Sequence, residues 1–232
     1  MSEKTFEQYD LRLKTPFTCI LAGPTKSGKT TFAFNLLRSR HEVMDVPSDR
    51  IFFFYNQWQR SFKSLKEEGV ITEWFNYLPT IDQLKELTFP YMEGDGSIVI
   101  IDDFMQQINR DVLDLFTVLS HAYHITVLLM SQNIFPDNKL FRSISINATY
   151  IVVFKNPRDS SQIQHFASQF SPGDTRWLIE SFRECTKGAF TYLMFDFHQK
   201  TEQKVRVLSR FLPHEWPMRV WMRKEDATDF GY

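Results

Sequence analysis

Short apolar runs recur along the chain, each closed by a polar loop and followed by a stretch with helical spacing. Residues 17–22, 50–55, Ser97–Asp102, 125–130 and Tyr150–Phe154 are dominated by Phe, Ile, Val, Leu and Met. Runs of five or six such residues predict strands buried on both faces. Between them, Phe32, Leu36 and Leu37 share one face of a helix over Lys29–Arg38, and Val112, Leu113, Phe116 and Leu119 form a second apolar stripe behind an Asn109 cap. The stretch 57–91 reads as mainly helical, with Thr80 and Gln83 spaced as a capping box. Pro47-Ser48-Asp49 and Gly94-Asp95-Gly96 punctuate the pattern.

Towards the C-terminus a helix is expected from about 171 to 188, followed by a hairpin or edge pair from 190–195 and 204–208. Pro213 and Pro217 demote residues 216–221 to edge or tail structure. Strands alternating with helices imply an α/β fold with a mostly parallel central sheet covered on both faces. Residues 1–232 read as one domain, with 189–232 a β-rich C-terminal extension within it.

Composition narrows the class. Hydrophobic residues make up 43 % of the 232, and 23 are Phe, which excludes a disordered chain. A net charge of −1 excludes a polycation that coats nucleic acid. Charge is uneven, however: residues 198–224 hold seven Lys/Arg against two Glu. Lys200, Lys204, Arg206 and Arg210 are the local candidates for phosphate-backbone contact, and Lys204 and Arg206 would share one strand face; a salt-bridged, solvated surface explains the same charges. Cys19 and Cys185 lack metal-ligand spacing, and Cys19 reads as buried packing in a reducing compartment. His121 and His124 have no third ligand nearby and read as turn, helix-end or interface residues. The first ten residues show neither basic flank nor apolar core of a signal peptide, and no window of 18 apolar residues suggests a membrane span.

The chemistry lies where the first strand ends. Gly23-Pro24-Thr25-Lys26-Ser27-Gly28-Lys29-Thr30 is a complete GxxxxGKT phosphate-binding loop between strand and helix, with Thr31 next on the helix. Its backbone N–H groups can cradle the phosphates of ATP, Lys29 supplies charge, and the Thr30 hydroxyl can hold Mg²⁺. The run Ser97–Asp102 ends in Asp102-Asp103 at the same rim. Asp102 is the candidate metal-side carboxylate. If the strand stays extended, Asp103 points elsewhere and either orients water at the γ-phosphate or caps the next turn. Gln132, at the end of the following strand, is either a sensor that touches phosphate and water or an amide serving local backbone.

GPTKSGKT at 23–30, SIVIIDDF at 97–104, LLMSQNIF at 128–135 and SINATYIVVFKNPRD at 145–159 together resemble the A32-like DNA-packaging ATPases of viruses and virus-like transposons, within the FtsK/HerA superfamily of P-loop motors. The resemblance covers about residues 15 to 170. It implies a three-layer, RecA-like P-loop NTPase that couples Mg-dependent ATP hydrolysis to translocation of double-stranded DNA. A homo-oligomeric ring and capsid or portal-like components are the implied partners. The implied setting is a host nucleus or cytoplasmic viral assembly site, with virion association. Lys29 and Thr30 take the nucleotide and metal roles, Asp102 the metal role, Asp103 the water-activating role and Gln132 the sensor role. An arginine finger acting on a neighbouring subunit falls to Arg142, to Arg158 or to neither. Lys155 and Arg158 of the KNPRD turn can face a neighbour or a phosphate, and Asp159 and Gln162 are spaced to cap the next helix. Asp103 departs from the Glu common at this place in such ATPases, which shortens its reach. A helicase or recombination motor, a small-molecule or nucleoside kinase, and a nonenzymatic nucleotide-controlled assembly protein are the alternatives.

Overall fold

Nine strands form one sheet in the order β3-β2-β4-β5-β1-β6-β7-β8-β9. The computed structural model describes residues 9–136, 138–158 and 161–227. The strands are β1 Thr18–Ala22, β2 Ile51–Tyr55, β3 Glu73–Phe75, β4 Ser97–Asp102, β5 Ile125–Ser131, β6 Tyr150–Phe154, β7 Tyr192–Asp196, β8 Val207–Ser209 and β9 Arg219–Val220. From β3 to β6 neighbours run parallel, and β7, β8 and β9 add antiparallel strands at the β6 edge. The C-terminal β-rich extension therefore continues the central sheet.

The helices are α1 Lys29–Arg38, α2 Arg40–Val43, α3 Phe62–Glu68, α4 Ile81–Thr88, α5 Arg110–Asp114, α6 Ser120–Ala122, α7 Lys139–Ile146, α8 Ser161–Phe170, α9 Thr175–Cys185 and α10 Lys224–Ala227, with a π-helical segment, Leu115–Leu119, joining α5 to α6. Alternate strand residues face opposite layers. Cys19, Leu21, Phe53, Ile98, Ile100, Leu128 and Met130 pack with α1, α2 and α3; Ile20, Ala22, Phe54, Val99, Ile101, Val127 and Leu129 pack with α4 to α9. Both faces being buried explains why the strands read as continuous apolar runs.

Several expectations change. The stretch 57–91 contains the short edge strand β3, where Trp74 and Phe75 pair beside Phe53 and Phe54. Three residues are too few for periodicity to reveal. The expected strand over 204–208 begins only at Val207, because Gln203–Val205 is a 3-10 turn. Lys204 and Arg206 therefore do not line one strand face: Lys204 is 12 % exposed and pairs with Glu202 at 3.5 Å, while Arg206 donates to the Asp196 carbonyl at 2.9 Å. The late helix is shorter than expected, capped by Asp174 and ending at Cys185. The Thr80–Gln83 capping box and the Asn109 cap form as read, and the His124 carbonyl accepts from Ser97 N–H at 3.0 Å to start β4. Asp159 lies outside the described residues, as do residues 1–8. Among the described residues, no helix is long and apolar enough to cross a membrane.

Candidate nucleotide site

The site forms where β1, β4 and β5 end on the same rim. Gly23 N–H donates to the Ser131 carbonyl at 3.1 Å, which ties the loop to the end of β5, and Ser27 N–H donates to Pro24 O at 3.1 Å to close the turn. A Cβ on Gly23 would stand 2.7 Å from Phe154 Cβ and 2.7 Å from Ser27 Oγ, so only glycine lets the loop lie this close to β6. Gly28 enters α1 in the left-handed region, φ 108°, where a side chain would be strained.

Helix α1 begins with no side-chain cap and no acidic residue in its first turn. Its first N–H groups and its dipole are thus open to an anion. Lys29 Nζ donates to the carbonyls of Gly23 (2.6 Å) and Pro24 (2.9 Å), folding the ammonium over the loop. Burial lowers its pKa, while the charges of Asp102 and Asp103 act in the opposite direction. Ser27 Oγ is buried without a hydrogen-bond partner among the described residues.

Residue parity places Asp102. It lies on the same face of β4 as Ile98 and Ile100, towards α1, and is 5 % exposed. Burial raises its carboxyl pKa to about 6, Asp103 adds to that, and Lys29 opposes it. Strand β4 stops here. Asp103 adopts a left-handed backbone, φ 64°, so the extended geometry expected of it is not formed. The turn nevertheless brings its carboxylate to Gln132, whose Nε2 donates to Oδ1 at 3.3 Å. Thr30 Oγ1 donates weakly to Met130 Sδ at 3.9 Å.

The chain's donors fit the groups the loop implies. An unpartnered buried hydroxyl, an uncapped helix start and an ammonium bonded to the loop's own carbonyls suit a triphosphate. A hydroxyl and a carboxylate are hard oxygen donors of the kind Mg²⁺ takes with phosphate. Two side chains that sequence reasoning missed support the acidic pair from the end of β2. Gln59 Nε2 donates to Asp102 Oδ2 at 3.2 Å, and Asn56 Nδ2 donates to the Asp103 carbonyl at 3.1 Å. Their signal was the polar run directly after β2 on the same rim.

The structure thus brings together the loop 23–30, Asp102, Asp103 and Gln132, with Thr31 exposed on the first turn of α1. Arg142, on α7, and Arg158, after β6, are exposed; among the described residues neither guanidinium bonds to these groups or has an ion-pair partner. Beyond Gly23 and Gln132 a cavity of about 330 Å³ runs between the end of β6 and helices α8 and α9.

No protein-family model matches the chain, and no curated protein matches it. Solved structures do. The genome packaging NTPase of Sulfolobus turreted icosahedral virus 2, in complex with AMPPCP, superposes with a TM-score of 0.52 at 15 % identity, over 80 % of this chain and 94 % of that one. A KaiC-like protein from Pyrococcus horikoshii OT3 gives 0.44 at 15 % identity, over 84 % and 85 %. The cytoplasmic domain of the Thermomonospora curvata type VII secretion ATPase gives 0.47 at 13 % identity, over 78 % of this chain and 24 % of that one. At such identities the likeness is one of fold, and the first of the three carries it. The chain has the P-loop NTPase fold, in a form similar to that of a viral genome packaging NTPase.

Proposed function

We propose that this chain is a Mg-dependent ATPase whose hydrolysis cycle drives double-stranded DNA translocation, in the packaging of a viral genome. The observation that carries the ATPase reading is the meeting of Lys29, Asp102 and the Asp103–Gln132 pair around one phosphate loop. Loop N–H groups and Lys29 hold the β- and γ-phosphates. Thr30 and Asp102 are the residues that would hold Mg²⁺, which neutralises charge on those phosphates when bound. Asp103 orients a water for in-line attack on the γ-phosphorus and takes its proton as the bond to the β-phosphate oxygen breaks, leaving ADP and inorganic phosphate. Gln132 holds the Asp103 carboxylate in place. Phosphoryl transfer depends mostly on such alignment.

DNA translocation is supported by the resemblance of the four sequence motifs and by the packaging role named for the similar viral NTPase. Directional movement needs coordinated neighbours, so a homo-oligomeric ring belongs to the proposal, with Arg142 or Arg158 reaching the next subunit's nucleotide and capsid or portal-like components receiving the DNA. A host nucleus or cytoplasmic assembly site goes with that role. The test is ATP turnover with and without duplex DNA. We expect DNA-stimulated hydrolysis with no phosphorylated acceptor; turnover indifferent to DNA removes the translocation reading, and absent turnover removes the ATPase reading.

A further inference from the structure

We propose that Phe190 is the platform on which the nucleotide's base stacks, an inference that rests on the phosphate-loop reading above. The sheet order sets the direction. The acidic pair and Gln132 end β4 and β5 on one side of β1, whereas β6 and β7 lie on its other side. A triphosphate seated on the loop with its γ end towards Asp103 therefore emerges, nucleoside first, on the β6–β7 side.

Phe190 stands there, two residues before β7, at the rim where Tyr192 pairs with Phe154 at the end of β6. A Cβ on Gly28 would lie 3.2 Å from Phe190 Cβ and 3.5 Å from its Cδ1, so the side chain leans directly on the phosphate loop. The residue is nevertheless 68 % exposed. Other exposed aromatics differ: Trp58 packs edge-on against Tyr55 and Phe62 beneath Lys66, whereas Phe190 has no ring partner among the described residues. Its backbone is left-handed, φ 62°, a conformation that costs a bulky residue energy.

Tyr192 is buried, packs edge-on against Phe32 of α1 at 4.7 Å and lies tilted against Phe154 at 5.6 Å. Thr191 Oγ1 donates to the Gly188 carbonyl at 3.0 Å, closing the turn that carries Phe190. An aromatic ring, apolar on both faces and held beside the loop, offers a stacking surface that any nucleobase can use.

Equilibrium binding of Mg-ATP, Mg-GTP and Mg-tripolyphosphate to the full chain separates base from phosphate. Phe190→Ala should weaken ATP and GTP binding roughly tenfold each and leave tripolyphosphate unchanged, with Phe190→Tyr close to native. Phe190→Asn, which tolerates the left-handed backbone, should behave as Phe190→Ala and guards against a folding defect. Native ATP affinity in Phe190→Ala and Phe190→Asn overturns the proposal, as does an equal loss of ATP and tripolyphosphate. Lys29→Ala should lose all three ligands; a native chain that binds none of them overturns the phosphate-loop reading itself, and this one with it.

Discussion

Gln132 Nε2 donates to Asp103 Oδ1 across 3.3 Å, linking the ends of two adjacent parallel strands. The bond gives the Asp103 carboxylate a fixed direction although the backbone at Asp103 has left the strand. Asp103→Asn should therefore retain nucleotide binding while turnover falls by roughly 10²-fold or more, the range expected when a positioned base is lost. Gln132→Ala should also lower kcat more than it raises KM. The double variant should be less than additive, since both act through one water. Full turnover in Asp103→Asn would exclude its role.

Asp102 makes stability depend on pH in a direction that can be worked out. Its carboxyl titrates near 3.8 when unfolded and near 6 when folded, so between those values the folded chain binds more protons. Its contribution is fully present below the unfolded value and is lost as pH rises through 6. At about 1.4 kcal/mol per unit the total is ~3 kcal/mol. Asp102→Asn should flatten this dependence and, without nucleotide, melt above the native chain at pH 7.5. The same variant should lose the extra stabilisation that Mg-ATP gives over ATP in EDTA. Parallel melting curves from pH 4 to 8 check both; an Asp102→Asn curve with the same pH dependence as the native chain rules out a buried, proton-binding Asp102.

How much of this was legible in the sequence follows from burial. Strands such as β4 and β5, covered on both sides, announce themselves as apolar runs, and GxxxxGKT places its own glycines. Gln132 was legible because it ends a strand already marked. Gln59 and Asn56 were not, because they act from a loop whose position depends on β2 lying next to β4. Phe190 lies near Gly28 only through the antiparallel pairing of β6 with β7, 162 residues along the chain. Arg206 shows the reverse: its charge suggested DNA, whereas its hydrogen bond to Asp196 ties the start of β8 to the end of β7.

Gly23 is a sensitive point of the loop. Alanine there must displace Phe154 Cβ or Ser27 Oγ, each 2.7 Å from the new atom, and Phe154 is itself buried in the core. Gly23→Ala should cost about 1–3 kcal/mol, as overpacking does, and should weaken ATP binding by moving the loop. Gly173→Ala is the control, since nothing lies within 4 Å of its new methyl group. Thermal melting and ATP titration of the two variants give the comparison, and equal behaviour would mean the loop has room to spare.

The basic C-terminal stretch divides into cations that hold the fold and cations free to meet DNA. Arg206 donates to the Asp196 carbonyl, and Lys204, 12 % exposed, pairs with Glu202. Lys200 is exposed on the turn after β7. Arg206→Ala should therefore lower stability by about 1.5–3 kcal/mol, as for a lost bond from a charged donor, and the melting temperature with it. Lys200→Glu should leave melting within about 0.5 kcal/mol of native and reduce DNA stimulation of turnover. A backbone contact of this kind weakens as salt rises, and removing one phosphate contact lowers the slope of log affinity against log salt by about 0.9. Fluorescence anisotropy with duplex DNA between 50 and 200 mM salt reads that slope. An unchanged slope in Lys200→Glu would take the DNA path away from this edge of the sheet, while a reduced slope with native melting would place Lys200 on it.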